Sequence, residues 1–144
     1  MLIEHILASK GSEIISVPST ATVAEAVDVL HARRIGAVVV SDDGTTAAGI
    51  LSERDVVRLL ADTGPSALTR PVTTAMTRTV HTCRPEATLD ELMAMMTTHR
   101  IRHLPVVRDD AMVGIVSIGD VVKHRVIELS QEAQALHDYV TAGR

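Results

Sequence analysis

A chain of 144 residues with a formal charge of −4 makes one ordinary domain or two small units sharing a core, and it is a poor match for a general binder of phosphate backbone. Hydrophobic residues are 46% and charged residues 22%, a globular balance, yet with one Tyr, no Phe and no Trp the core must be aliphatic. The missing rings also argue against single-stranded nucleic acid, whose bases stack on aromatic side chains.

Residues 1–12 open with MLIEHILASKG, which reads as a helical segment or linker. It lacks a basic leader, a long apolar core and a cleavage site, so no signal peptide is expected in it. No apolar run approaches the roughly 20 residues of a membrane span. The expectation is a cytoplasmic protein with no membrane partner.

A short strand is predicted over Glu13–Val17. Thr22-Val23-Ala24-Glu25 then reads as a capping box, in which Thr accepts from the backbone and Glu reaches back. Val23, Ala26, Val27 and Leu30 follow at helical spacing. Ile35–Val40 reads as a buried β-branched strand, Ser41–Gly44 as a turn, and a second strand opens at Gly49. It leads into GILSERDVV (49–57), where Ser52 starts another helix. Gly64-Pro65-Ser66 and Arg70-Pro71 mark a connection.

The same order then returns. A strand is predicted over Thr79–Cys83, a capping box at Thr88–Glu91, and a stripe of Leu89, Leu92, Met93 and Met96. The methionines at 93, 95 and 96 read as core filling rather than a soft binding surface. HRIRHLPVV (99–107) aligns with the first buried strand. GIVSIGDVV begins at Gly114, 65 residues after its twin. The chain thus divides into a lead-in (1–12), a first repeat (13–64), a linker (65–78), a second repeat (79–127) and a helical tail (128–144). A unit of about 60 residues is marginal alone, so the two are expected to cover each other.

Catalytic chemistry has no constellation to rest on. Cys83 stands alone and reads as a small half-buried hydrophobe, and the seven His show no metal-ligand spacing. Neither a P-loop nor GxGxxG is present. The reading is therefore no enzyme, with no catalytic residue and no metal. Ser52-x-x-Asp55 and Ser117-x-x-Asp120 are, at their simplest, helix caps.

The paired GI-x-S-x-x-D-V-V phrases and HRIRHLPVV resemble the tandem CBS domain, or Bateman module, named after cystathionine β-synthase. The resemblance covers about residues 10–127. It implies an α/β (α+β) fold of two pseudosymmetric repeats, each β-α-β-β-α, packed sheet against sheet about a cleft. It implies a stand-alone regulatory module for adenosine-containing ligands such as AMP, ATP, NAD or S-adenosylmethionine, with no required cofactor. Ser52 with Asp55, and Ser117 with Asp120, then take the ribose hydroxyls. The adenine slot falls to Thr22, Val27, Ile35, Gly36 and Ala37 in the first repeat, and to Thr88, Met93, Ile101 and His103 in the second. Phosphate falls to Arg102 and Arg54, while Arg33, Arg34 and Arg100 read as a solvated basic face. Gly36 stands where Arg102 stands, and Arg54 where Gly119 stands, so the two sites are expected to differ. A homodimer and a regulated partner protein complete the expectation. The alternative is a ligand-independent dimerisation scaffold in which Ser and Asp only cap helices.

Overall fold

The computed structural model describes residues 1–143; Arg144, last of the expected tail, lies outside the described residues. Thr22 and Thr88 each accept a 3.1 Å bond, from the Glu25 and Glu91 backbone N–H, and so open α2 (Val23–Arg33) and α4 (Leu89–His99). Both helices end on an arginine in left-handed backbone, Arg34 and Arg100, each at φ 54°. That conformation costs a non-glycine residue about 1 kcal/mol and turns the chain sharply out of the helix. β2 (Ala37–Val40) and β4 (His103–Arg108) follow.

In the first repeat β2 is central, parallel to β1 (Ser16–Val17) and antiparallel to β3 (Gly49–Ser52). β3 runs directly into α3 (Glu53–Thr63). In the second repeat β4 pairs antiparallel with β5 (Ala111–Ser117), which runs into α5 (Ile118–Ala142). The two repeats pack together, and the sheets approach where Gly36, ahead of β2, lies against the His103 side chain at the start of β4. The α+β reading with two pseudosymmetric halves holds.

One expected strand is missing. Thr79–Cys83 pairs with β4 only through a bridge between Cys83 and Val106. The reason is Pro105. In the first repeat Val39 N–H donates to Ile15 O at 3.2 Å, and Pro105 occupies the matching place without an N–H to give. Cys83 is buried beyond expectation, at 6% exposure, and burial pushes its thiol up to about 11, which keeps it inert.

The cores are exchanged at their edges. α1 (Ile3–Lys10) places Ile3, Ile6 and Leu7 among Cys83, Leu89, Leu92, Leu104 and Val116 of the second repeat. The segment after α3 forms two 3-10 turns, Gly64–Thr69 and Val72–Thr74, and places Val72 and Met76 among Val23, Val38 and Leu51 of the first. Backbone pairing repeats the exchange: Leu89 N–H donates to Met1 O, and Val23 N–H to Arg70 O. Each lead-in segment therefore covers the opposite repeat.

This arrangement accounts for the recurring glycine. A Cβ on Gly114 would lie 2.6 Å from Leu7 Cδ2, and one on Gly49 would lie 2.6 Å from Met76 Sδ and 3.0 Å from the Thr77 carbonyl oxygen. A leucine tip can swing aside, whereas the Thr77 backbone is held in a pair of bonds with Ile50. Gly49→Ala is expected to cost about 1–3 kcal/mol in urea unfolding, and Gly114→Ala clearly less. Equal costs at the two positions would contradict the close approach of backbone at Gly49.

Candidate functional site

Strand-to-helix junctions place both Ser-x-x-Asp phrases. Ser52 ends β3 with extended backbone, and its Oγ accepts from Asp55 N–H at 3.2 Å. Asp55 Oδ2 accepts in return from Ser52 N–H and Ser52 Oγ, both at 3.0 Å. Ser117 and Asp120 repeat the box, with Asp120 Oδ2 accepting from Ser117 N–H at 2.9 Å and from Ser117 Oγ at 3.1 Å. The capping expectation is met in full in both copies.

Beyond the caps the two carboxylates part. Asp55 is 6% exposed, and its oxygens accept from Thr77 Oγ1 at 3.3 and 3.4 Å and from Arg58 at 3.5 Å. Asp120 has a much closer cation: Lys10 Nζ, at the end of α1, donates to its Oδ2 at 2.5 Å and to Ile115 O at 2.9 Å. Thr77 and Lys10 are counterparts, each supplied by the lead-in segment that covers the strand. Burial pushes the Asp120 carboxyl up, but the bonds from Lys10 and the Ser117 backbone outweigh it and leave the group below its ordinary value.

A cleft of about 530 Å³ opens beside Asp55, within the size range of small-molecule sites. The first repeat contributes Gly36, Ile50 and Ser52–Asp55 with Val57 and Arg58. The connection contributes Thr77, and the second repeat Thr79, His81, Arg100, Ile101, Arg102 and His103. His81 is stacked on His99, ring centroids 3.8 Å apart. Burial pushes the His103 imidazole below its ordinary value, against the opposing pull of Asp120 and Glu53, which favours its neutral form.

Of the residues expected at a site, Ser52, Arg54, Asp55, Gly36, Ile101, Arg102 and His103 come together here. Ser117 and Asp120 lie outside this lining, engaged with Lys10. Thr22 and Thr88 cap their helices, Val27, Ile35 and Met93 pack on the core of their own repeat, and Ala37 is buried in β2. None of these six lines the cleft.

Arg100 is exposed, as a solvated face requires, and it also lines the mouth of the cleft. Its counterpart Arg34 shares the left-handed backbone but lies outside the cleft lining. Arg33 keeps to the surface, half-exposed and 3.4 Å from Glu13. Arg58 was legible, because it follows Arg54 at i+4 and so shares its helix face. Lys10 was not, since 110 residues separate it from Asp120.

The family model described as CBS domain matches residues 5–62 and 72–127. The mitochondrial CBS domain-containing protein CBSX3 of Arabidopsis thaliana is 40% identical over 126 residues, covering 85% of this chain. The chain spans 61% of that relative's length. A crystal structure of a CBS-domain containing protein from Agrobacterium tumefaciens superposes with a TM-score of 0.84 at 43% identity, over 87% of this chain and 99% of that one. A CBS domain protein from Pyrobaculum aerophilum complexed with AMP gives 0.78 at 26% identity, over 92% and 99%. Among the described residues no helix is long and apolar enough to cross a membrane, and no group of three or more His, Cys, Asp or Glu could hold a metal ion.

The Lys10 contact has a measurable consequence. Because the folded Asp120 carboxyl lies below its unfolded value, its contribution is present above the unfolded pKa and is lost as pH falls through the folded one. Lys10→Met is expected to cost about 1–2 kcal/mol at pH 7 in chemical denaturation, with the difference from the parent fading below pH 3. A difference that persists undiminished at pH 2 would mean that packing of the lysine stem, not the ion pair, is what was lost.

Proposed function

The chain belongs to the CBS domain family, and from that premise we propose that it is a regulatory module that binds an adenosine-containing nucleotide in the cleft beside Asp55 and performs no chemistry of its own. The observation that carries this is a buried carboxylate facing an open cleft rich in guanidinium groups. Arg54, Arg58, Arg100 and Arg102 outnumber Glu53 and Asp55 there by two charges, in a chain whose total is −4. A cleft of that sign concentrates anions. Asp55 takes the vicinal ribose hydroxyls, with Ser52 and Thr77 beside it. Gly36, Ile101 and the neutral His103 offer a thin slot for the base. Arg102, assisted by Arg54 and Arg100, receives the phosphate, since a guanidinium donates two parallel bonds and keeps its charge.

The two pseudosymmetric positions are unequal in this reading. A ribose at Asp120 has to displace the Lys10 ammonium, so the Asp55 side fills first, with one nucleotide per chain. Thr22 with Val27 and Thr88 with Met93 then contribute by shaping the walls behind the cleft, not by touching the ligand. AMP, ATP and NAD all satisfy this chemistry, and bound nucleotide would bias a regulated partner by altering how the repeats pack. That a relative of this fold is complexed with AMP supports the reading.

Expected behaviour is specific. AMP or ATP should raise the melting temperature at millimolar concentration through binding to the folded state. Asp55→Asn should weaken binding at least tenfold by removing charge-assisted bonds to the hydroxyls. Arg102→Ala should narrow the preference for AMP over adenosine while an Arg33→Ala control does not. In titration calorimetry, Lys10→Ala should add a second, weaker binding event. If no adenosine compound shifts the transition, Ser and Asp do no more than cap their helices, and the ligand-independent scaffold is the function.

A further inference from the structure

α5 has two apolar faces, and the chain covers only one of them. Val121 and His124 are buried against the second repeat, at 1% and 5% exposure. From Leu129 to Gly143 every residue is exposed, so about 20 Å of helix stands clear of the body. A free helix of that length is marginal in water without a partner. Its outer face carries Val122, Val126, Leu129, Ala133, Leu136 and Val140, at steps of 4, 3, 4, 3 and 4. The large residues among them are 51–64% exposed. That alternation is the a/d seam of a coiled coil, with Val126, Ala133 and Val140 at a and Val122, Leu129 and Leu136 at d.

We propose that this seam pairs with the same seam of a second copy in an antiparallel coiled coil. The orientation and register follow from the flanking residues. Setting Val126 against the partner's Leu129 also sets Ala133 against Val122 and Gly119 against Leu136. Each small residue then receives a larger one. A parallel pair would stack Gly119 on Gly119 and Ala133 on Ala133 and leave voids. At Gly119 the place of a Cβ has only Ser117 Oγ within contact, at 3.5 Å, leaving room for a leucine.

The g positions, which flank the seam, choose the register. In this one Arg125 faces Glu132 of the other copy, twice by symmetry, and Ile118 faces Tyr139. That contact gives an apolar partner to Tyr139, the most exposed large hydrophobic residue at 79%, and to Ile118 at 40%. Sliding by one heptad either way sets Glu132 on Glu132 or Arg125 on Arg125, which repel. Arg125 leans on Asp90 and Glu128 at 3.6 and 3.5 Å while 40% exposed, and its fork has donors to spare. The free half of each helix thereby covers the exposed Ile118, Val122 and Val126 of its partner.

Sedimentation of the full chain should give a dimer, and Leu129→Glu, an exposed position that leaves the core intact, should weaken it at least a hundredfold. Glu132→Arg should weaken it roughly tenfold, and adding Arg125→Glu should restore it by swapping the pair. Under oxidation, Val122→Cys alone and Ala133→Cys alone should stay uncrosslinked, whereas an equal mixture of the two should form a disulfide-linked dimer. Self-crosslinking of either single variant would overturn the antiparallel register. A monomer, or a dimer indifferent to Leu129→Glu, would overturn the seam itself.

Discussion

Leu7 lying on Gly114 and Met76 lying on Gly49 are the contacts on which both halves depend. Each repeat leaves one side of its sheet uncovered, and the segment leading into the other repeat closes it. Units of this size bury too little of their own surface to stand apart, and exchange of lead-in segments makes one cooperative body from two marginal ones. A Cβ at Gly49 would hold that segment away, and one at Gly114 would force the Leu7 tip aside. The recurrence of Gly-Ile ahead of Ser-x-x-Asp is thus first a matter of packing.

The same exchange makes the two copies of one motif chemically unlike. The segment that covers a strand also delivers a side chain to the carboxylate at its end. At Asp55 that side chain is Thr77, a neutral hydroxyl; at Asp120 it is Lys10, a cation. Duplication would give two equal sites, and the lead-in segments break the equality. The repeats also give the cleft unlike residues at matching places, with Arg102 where the first repeat has Gly36, and Arg100 lining it where Arg34 does not.

Much of the fold was legible because its signals are local. The threonine caps at Thr22 and Thr88 (the reciprocal glutamate bond forming only at Thr88), a helical stripe, a β-branched run and the repeat itself each need only a few neighbouring residues. Pro105 carried a legible warning too, since its missing N–H explains why Thr79–Cys83 shortens to a bridge, but the consequence depends on which carbonyl it faces. At the site, Ser52, Asp55, Arg54 and Arg102 were readable from the phrases that contain them. Arg100 is exposed as expected, but that it also borders the cleft depends on how the repeats pack, which no local pattern reports. Lys10 escaped because nothing in the first ten residues points to a partner 110 residues away.

In the proposed site, nucleotide sits beside Asp55 while Lys10 guards Asp120. Mapping backbone amide shifts by NMR on titration with AMP tests it most directly, because both motifs report in one spectrum. Large shifts are expected at Ser52–Asp55, Thr77 and Arg100–His103, with Asp120 and Lys10 nearly unmoved until the first site is saturated. Shifts that appear first at Ser117–Asp120, or at neither motif, would contradict it.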